Sequence, residues 1–222
     1  MTFQIRKRSR LPHWDVDQGA YFITTNLIDA VPQEVRLRID NERKAYITEV
    51  ERRKGHMTAA EELALNQMIR ERLEEALDAG AGACWMRQPE IARIVADAIA
   101  FLDGKRFELF AWCVMPNHVH LLFRLLDGSI DRMMRSLKTF TSREANIVLG
   151  LTGAFWQADY YDRSVRDQTE LLRCVEYIRM NPAQAGLADW PWMKVYDYRL
   201  PVAGPEVRRL RTGGPRSAGE ST

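Results

Sequence analysis

Phe107-Glu-Leu-Phe-Ala-Trp-Cys-Val-Met-Pro-Asn-His-Val-His-Leu-Leu-Phe-Arg-Leu-Leu126 is the stretch on which the fold turns. Residues 107–115 and 118–126 are apolar, aromatic and β-branched, and Pro116-Asn117 between them is a turn pair, so the stretch reads as a β-hairpin. Upstream, Ile91, Ile94, Val95, Ala98 and Leu102 share one face of an amphipathic helix over about 89–102, ended by Asp103-Gly104. Further upstream, Ala20 to Leu27 reads as a strand. Downstream come a helix over about 130–149, an untidy extended run over 155–165, and a helix from about Thr169 to Asn181 stopped by Pro182. The order β-α-β-β-α-β-α predicts an α+β fold. Its natural form is a ferredoxin-like or RRM-like antiparallel sheet with helices on one face. The charged stretch 33–79 reads as a helical insertion, broken at Gly55 and restarted by a capping box at Thr58-Ala-Ala-Glu61. Ala79 to Ala83 reads as a flexible joint, residues 1–202 as one domain and 203–222 as a mobile tail.

Hydrophobic residues are 46% and charged residues 28% of the 222, values of a globular chain with one core. No run of 18 apolar residues occurs, and the N-terminal charges precede no apolar stretch. The expectation is therefore a cytoplasmic protein with no membrane partner. Three scattered cysteines fit free buried thiols better than disulfides or a zinc ribbon. Net charge is only +2, yet of 32 basic residues six are lysines, leaving 26 arginines. Arginine forks match phosphate oxygens, although a GC-rich genome accounts for the bias equally well.

Two of the four histidines form His118-Val119-His120 within a strand. Residues i and i+2 point to one face, so two imidazoles stand side by side in a metal-chelating arrangement; the alternative is chance pairing on a wet, polar sheet face. A metallo-β-lactamase-type continuation is missing, since Leu122 and Phe123 stand where Asp and His belong, and no cupin-type Glu follows. In the last helix Tyr177 and Asn181 are i and i+4 on a polar stripe. A carbonyl ligand beside a phenolic nucleophile is one reading. A boundary tyrosine, with Asn181 capping the helix before proline, is the other.

Residues 111–123 resemble the HUH (His-hydrophobic-His) motif of single-tyrosine transposases. Phe155-Trp156-Gln157, Tyr161-Asp162, Val165-Arg166, Glu170-Leu171, Tyr177-Ile-Arg-Met-Asn-Pro182 and Ala185-Gly-Leu187 resemble the REP-associated tyrosine branch of that family. The openings Leu11-Pro-His-Trp14 and Tyr21-Phe-Ile-Thr24 are similar too. The resemblance spans roughly 11–27 and 84–198 and implies a DNA transposase. Such an enzyme nicks single-stranded DNA beside hairpins of REP-like elements and transfers the strand through a 5′-phosphotyrosine. It also implies Mg²⁺ or Mn²⁺ as cofactor, His118, His120 and Asn181 as metal ligands, and Tyr177 as nucleophile. No nucleotide cofactor is expected, since no GxxxxGK[ST] loop occurs, and an oligomer is compatible with this reading. Candidate DNA contacts are the basic arm Arg6, Lys7, Arg8 and Arg10, and Arg132, Arg135, Lys138 and Arg143 on the helix near 130–149. Trp156, Tyr160 and Tyr161 would stack on unpaired bases or fill the core. The rival readings are a hairpin-binding protein that does not cleave, and a metal-dependent phosphoesterase that uses water.

Overall fold

The computed structural model describes residues 20–196, the side chain of Lys54 excepted. It also describes the backbone of two short antiparallel ribbons, Gln4–Arg6 with His13–Asp15 and Tyr198–Arg199 with Arg208–Arg209. Of the basic arm only the backbone of Arg6 falls within these limits. Lys7, Arg8 and Arg10 lie outside the described residues, as does the tail at 203–222 apart from the backbone of 208–209.

Five strands, β1 (Ala20–Asn26), β2 (Phe107–Val114), β3 (His118–Leu125), β4 (Tyr161–Val165) and β5 (Met193–Val195), form one antiparallel sheet in the order β4-β1-β3-β2-β5. The first four follow the ferredoxin-like order 4-1-3-2. β5 was not foreseen: three residues with Lys194 at their centre are too short to show alternation, and they pair with Ala111–Cys113 on the edge of β2. The helices are α1 (Gln33–Lys54), α2 (Ala59–Asp78), α3 (Pro89–Leu102), α4 (Ile130–Leu149) and α5 (Gln168–Gln184).

The hairpin strands are apolar on both faces, the pattern of a sheet covered on both sides. Tyr21, Ile23, Leu109, Trp112, Val114, Val119, Leu121 and Phe123 bury beneath the crossover helices α3 and α4. Phe22, Phe110, Ala111, Cys113 and Leu122 bury against Leu171, Cys174 and Ile178 of α5. The expected single helical face thus holds for α3 and α4, while α5 takes the opposite face. Pro182 does not stop α5, which runs on to Gln184. A proline this close to the end removes one donor only, and Ala185 N–H still closes the last turn on the Asn181 carbonyl (3.0 Å).

The insertion is docked, not loose. Gly55, with φ at +76°, ends α1, and the capping box at Thr58 and Glu61 starts α2. Every fourth residue of α2 is buried: Leu65 and Ile69 pack with Ile39 of α1, and Leu73 and Leu77 join the core of the sheet. The joint after α2 is anchored as well. Ala83 N–H donates to Asp29 Oδ2 (2.7 Å), and Asn117 Nδ2 donates to the Ala81 carbonyl (3.1 Å). Gly82 has φ at +87°, and a Cβ there would sit 2.7 Å from the Asp29 carbonyl oxygen.

Lys138 also departs from its expected role. Its ammonium turns inward and donates to the carbonyls of Gln157 (2.9 Å), Ala158 (3.3 Å) and Asp159 (2.8 Å), tying α4 to the loop before β4. Burial pulls its pKa down to about 8. This charge is committed to the fold and not offered to a phosphate.

Two stability outcomes follow by thermal melting. Gly82→Ala should cost about 2–3 kcal/mol, because strain at positive φ adds to the clash with Asp29. Gly55→Ala, with the same sign of φ but open space around it, should cost only about 1–2 kcal/mol; equal costs would refute the close approach. Lys138→Ala should lose about 1–3 kcal/mol by orphaning three carbonyls, whereas exposed Arg135→Ala should stay within about 0.5 kcal/mol.

Candidate active site

β3 places His118 and His120 on the face that α5 covers, opposite Asn26 and Thr24 of β1. That face is not the wet, polar one the spacing allowed. The two histidines are only 1% and 0% exposed, and the Phe22 ring stacks on His120 at 5.5 Å. Their Nε2 atoms face each other 3.0 Å apart. The far side of each ring is held. Asn117 spends its amide hydrogens on the carbonyls of Leu77 and Ala81 (3.1 Å each), so its Oδ1 must accept from His118 Nδ1–H (2.8 Å). This fixes the His118 tautomer and leaves the Nε2 lone pair aimed at His120. His120 Nδ1 meets the Thr24 hydroxyl at 2.9 Å. Burial depresses both pKa values, His118 to about 3 against a small opposing contribution from Asn181, and His120 well below the usual range with His118 adding to the effect. Both rings are therefore neutral, as metal ligands must be.

Asn181 is fully buried inside α5 and caps nothing; the residue that ends the helix is Ala185. Its Nδ2 donates to Asp78 Oδ1 of α2 (3.3 Å), while its Oδ1 has no hydrogen-bond partner. Tyr177, one turn earlier, sets its ring edge-on to His120 (5.2 Å) and to Phe22 (5.8 Å). Its hydroxyl is enclosed without a partner. Burial pushes this phenol far above the ordinary tyrosine range; Glu74 and Asp78 add to the rise, and Arg70 and Arg163 oppose it.

The sequence reading missed the α2 stripe Arg70, Glu74 and Asp78. Its signal was available: three ionisable residues at i, i+4 and i+8, one position after the apolar stripe Ile69, Leu73 and Leu77. It also missed a cleft of about 250 Å³ beside the site, lined by Phe22, Thr24, Arg70, Tyr161, Arg163 and Arg166. Arg163 lies over the Phe22 ring (5.1 Å) and donates to Glu170 (3.1 Å) and Cys174 Sγ (3.0 Å). Arg132, Arg135 and Arg143 are exposed, but on α4, across the sheet from the histidines. Trp156 and Tyr160 are core residues, tied by hydrogen bonds to Thr141 and Asp131, and only Tyr161 borders the cleft.

The residues fit a divalent cation. Among the described residues no group of three His, Cys, Asp or Glu side chains gathers, so a protein ligand beyond the two histidines would be of another type, and an amide oxygen is one such type. Asn181 Oδ1 is such an atom, buried and unsatisfied. Two donors 3.0 Å apart subtend about 90° at a cation about 2.1 Å from each, the angle between neighbouring octahedral ligands. Among the described residues no helix is long and apolar enough to cross a membrane.

The family described as "Transposase IS200 like" matches residues 88–181. A REP-associated tyrosine transposase of Escherichia coli (strain K12) is 30% identical over 95 residues, 39% of this chain and 53% of that protein. A Haemophilus influenzae protein provisionally given the same designation is 29% identical over 101 residues, 39% of this chain and 57% of its own length. The chain thus spans about half the length of the curated relatives it matches. A solved structure of a REP-associated tyrosine transposase bound to a REP hairpin aligns over 83% of this chain and 81% of its own, with 18% identity and a TM-score of 0.44. The stretch that carries the histidine pair and the tyrosine helix is thus similar to IS200-like transposases, and the curated proteins it resembles are REP-associated tyrosine transposases.

Proposed function

We propose that this protein is a DNA transposase that nicks and rejoins single-stranded DNA at hairpin-flanked sites through a covalent tyrosine intermediate, with Mg²⁺ or Mn²⁺ as cofactor. The observation that carries the reading is the facing pair of His118 Nε2 and His120 Nε2, with the Asn181 side chain acting on His118 and the Tyr177 ring edge-on to His120. A binding module that never cleaves has no use for a buried, unsatisfied amide oxygen on a side chain beside a pair of neutral imidazoles. A water-using phosphoesterase has no use for the phenol.

His118, His120 and Asn181 would hold the cation. When bound, it withdraws charge from the scissile phosphate and orients that phosphate for in-line attack. Tyr177 Oη then forms a bond to phosphorus as the bond from phosphorus to the 3′-oxygen breaks. The phenolic proton leaves the tyrosine and the 3′-oxygen departs as a hydroxyl, so the phosphoester count is unchanged and another 3′-hydroxyl can reverse the step. The chain's own part is placement. Phe22 touches both His120 and Tyr177 and holds nucleophile and ligand in one relation. The high pKa keeps Tyr177 protonated at neutral pH, so the side chain waits as an inert phenol. The cleft beside Tyr177 is lined by Arg70, Arg163 and Arg166 together with Asp162 and Glu170, and its three arginines are the groups there that could meet a strand backbone. REP-like hairpin DNA is the substrate this family domain suggests.

Two experiments test the reading on hairpin DNA with single-stranded flanks. With Mn²⁺ the wild type should yield a protein–DNA adduct that survives denaturing electrophoresis and carries the fragment 3′ of the nick. Tyr177→Phe should fold and bind but give no adduct; cleavage by Tyr177→Phe at the wild-type rate would hand the reaction to water. His118→Ala and His120→Ala should each abolish the adduct. Because both rings are buried, each should also cost roughly 1–3 kcal/mol of stability by stranding its polar partners, so circular dichroism at the assay temperature must accompany the assay. An adduct at full yield from either variant would overturn the ligand assignment.

A further inference from the structure

The carboxylate of Asp78 touches none of the reacting positions, yet it lies against the one ligand whose orientation is ambiguous. An imidazole fixed at Nδ1 presents Nε2 and nothing else, whereas a primary amide is nearly symmetric in shape and opposite in function at its two ends. Turned one way, Asn181 presents Oδ1 to the histidines and completes a ligand set. Turned the other way, it presents Nδ2–H, which would donate to the Nε2 lone pairs and close the site to a cation. The histidine lone pairs by themselves favour the second, blocking orientation.

Asp78 reverses that preference. Its Oδ1 lies 3.3 Å from Asn181 Nδ2, and only the ligand-competent orientation gives a donor facing this carboxylate. The flipped amide would set an oxygen against an oxygen. The same end of α2 also orients the first histidine, because the carbonyls of Leu77 and Ala81 take the amide hydrogens of Asn117 and leave its Oδ1 for His118 Nδ1. Both arrangements depend on where α2 is docked, and Leu73 and Leu77 dock it in the core of the sheet.

We propose that Asp78, carried by the inserted helix α2, is a positioning residue that holds the Asn181 amide with Oδ1 toward His118 and His120. The insertion is then part of the metal site and not an appendage. This inference rests on the metal-site reading above. Partners of metal ligands typically contribute 10–100-fold to metal affinity, which sets the expected effect at about that size.

The test is Mn²⁺ binding to the full chain without DNA, by calorimetry. Asp78→Ala should weaken binding about 10–100-fold, and Asp78→Asn, whose own Oδ1 can still accept from Asn181, should lose far less. Adding Asn181→Asp to Asp78→Ala should restore affinity, because a carboxylate has two equivalent oxygens and needs no orienting partner. A purely structural role for Asp78 predicts no such rescue. Wild-type affinity in Asp78→Ala, or failure of the rescue in a folded double variant, overturns the inference. Loss of binding in His118→Ala and His120→Ala with none in Asp78→Ala leaves the metal reading intact and removes this one alone. Absence of Mn²⁺ binding by the wild type removes both. If Asp78→Ala does not fold, the unaltered protein still answers by NMR with Mg²⁺: the Asn181 side-chain NH₂ should show nuclear Overhauser contacts to Asp78 and not to the ring protons of His118, and the reverse pattern overturns the assignment.

Discussion

Two neutral imidazole nitrogens held 3.0 Å apart in a buried site are the constraint around which this structure is arranged. Burial lowers both pKa values and so keeps both rings neutral; each then has one N–H and one lone pair, and the two facing Nε2 atoms can share a hydrogen bond or, with both lone pairs turned inward, accommodate a cation. The hairpin register sets the pair in place. The Met115 N–H bonds to the His118 carbonyl (2.8 Å), and the Asn117 carbonyl receives the Leu27 N–H (2.8 Å), so the turn is pinned to both its own strand and the end of β1. A slip of one residue would turn both rings into the core under α3 and α4 and bring Val119 to the site.

Phe22 carries this constraint outward. One ring stacks on His120, meets Tyr177 edge-on and lies beneath the Arg163 guanidinium. His120, Tyr177 and Arg163 are therefore located by one side chain on the strand next to β3. Arg163 in turn is held by Glu170, which also takes the Arg166 N–H at the start of α5 (3.0 Å). The helix that bears Tyr177 and Asn181 is thus fastened at its N-terminal end to the strand that borders the cleft, and along its length by Leu171, Cys174 and Ile178 in the apolar layer. Rigid elements on both sides of Tyr177 are what the proposed in-line reaction requires, because small misplacements are costly in rate.

Much of this was legible in the residues. The hairpin, α3 and α4 show clean periodicity or punctuation, and the His-x-His spacing within a strand dictates a shared face. The limits of the insertion could be read because Gly55 and the Thr58–Glu61 box are local signals. What escaped reading depends on distant contacts. Pro182 is a helix breaker by propensity, yet it lies too near the helix end to break it. The charge of Lys138 reads as surface until three carbonyls of a loop 20 residues away are seen to meet it. The histidine face reads as polar because its cover, α5 with α2, comes from the far end of the chain and from the insertion. Leu122 and Phe22 beside the imidazoles were the residues that spoke for burial.

The least legible element, α2, is the one whose geometry explains most about the site. A step of four residues advances a helix by about 400°, that is by about 40° around its axis, so an i+4 series forms a slowly turning stripe. Leu65, Ile69, Leu73 and Leu77 are such a stripe and follow the core from the α1 contact to the sheet. One residue on, about 100° around the axis, Arg70, Glu74 and Asp78 form a parallel stripe. The docking that buries Leu77 therefore presents Asp78 to Asn181 and the Leu77 carbonyl to Asn117. Core packing and the orientation of the Asn181 amide are set by adjacent residues of one helical turn, so neither can shift without the other. An insertion that merely decorated the sheet would need only the first stripe.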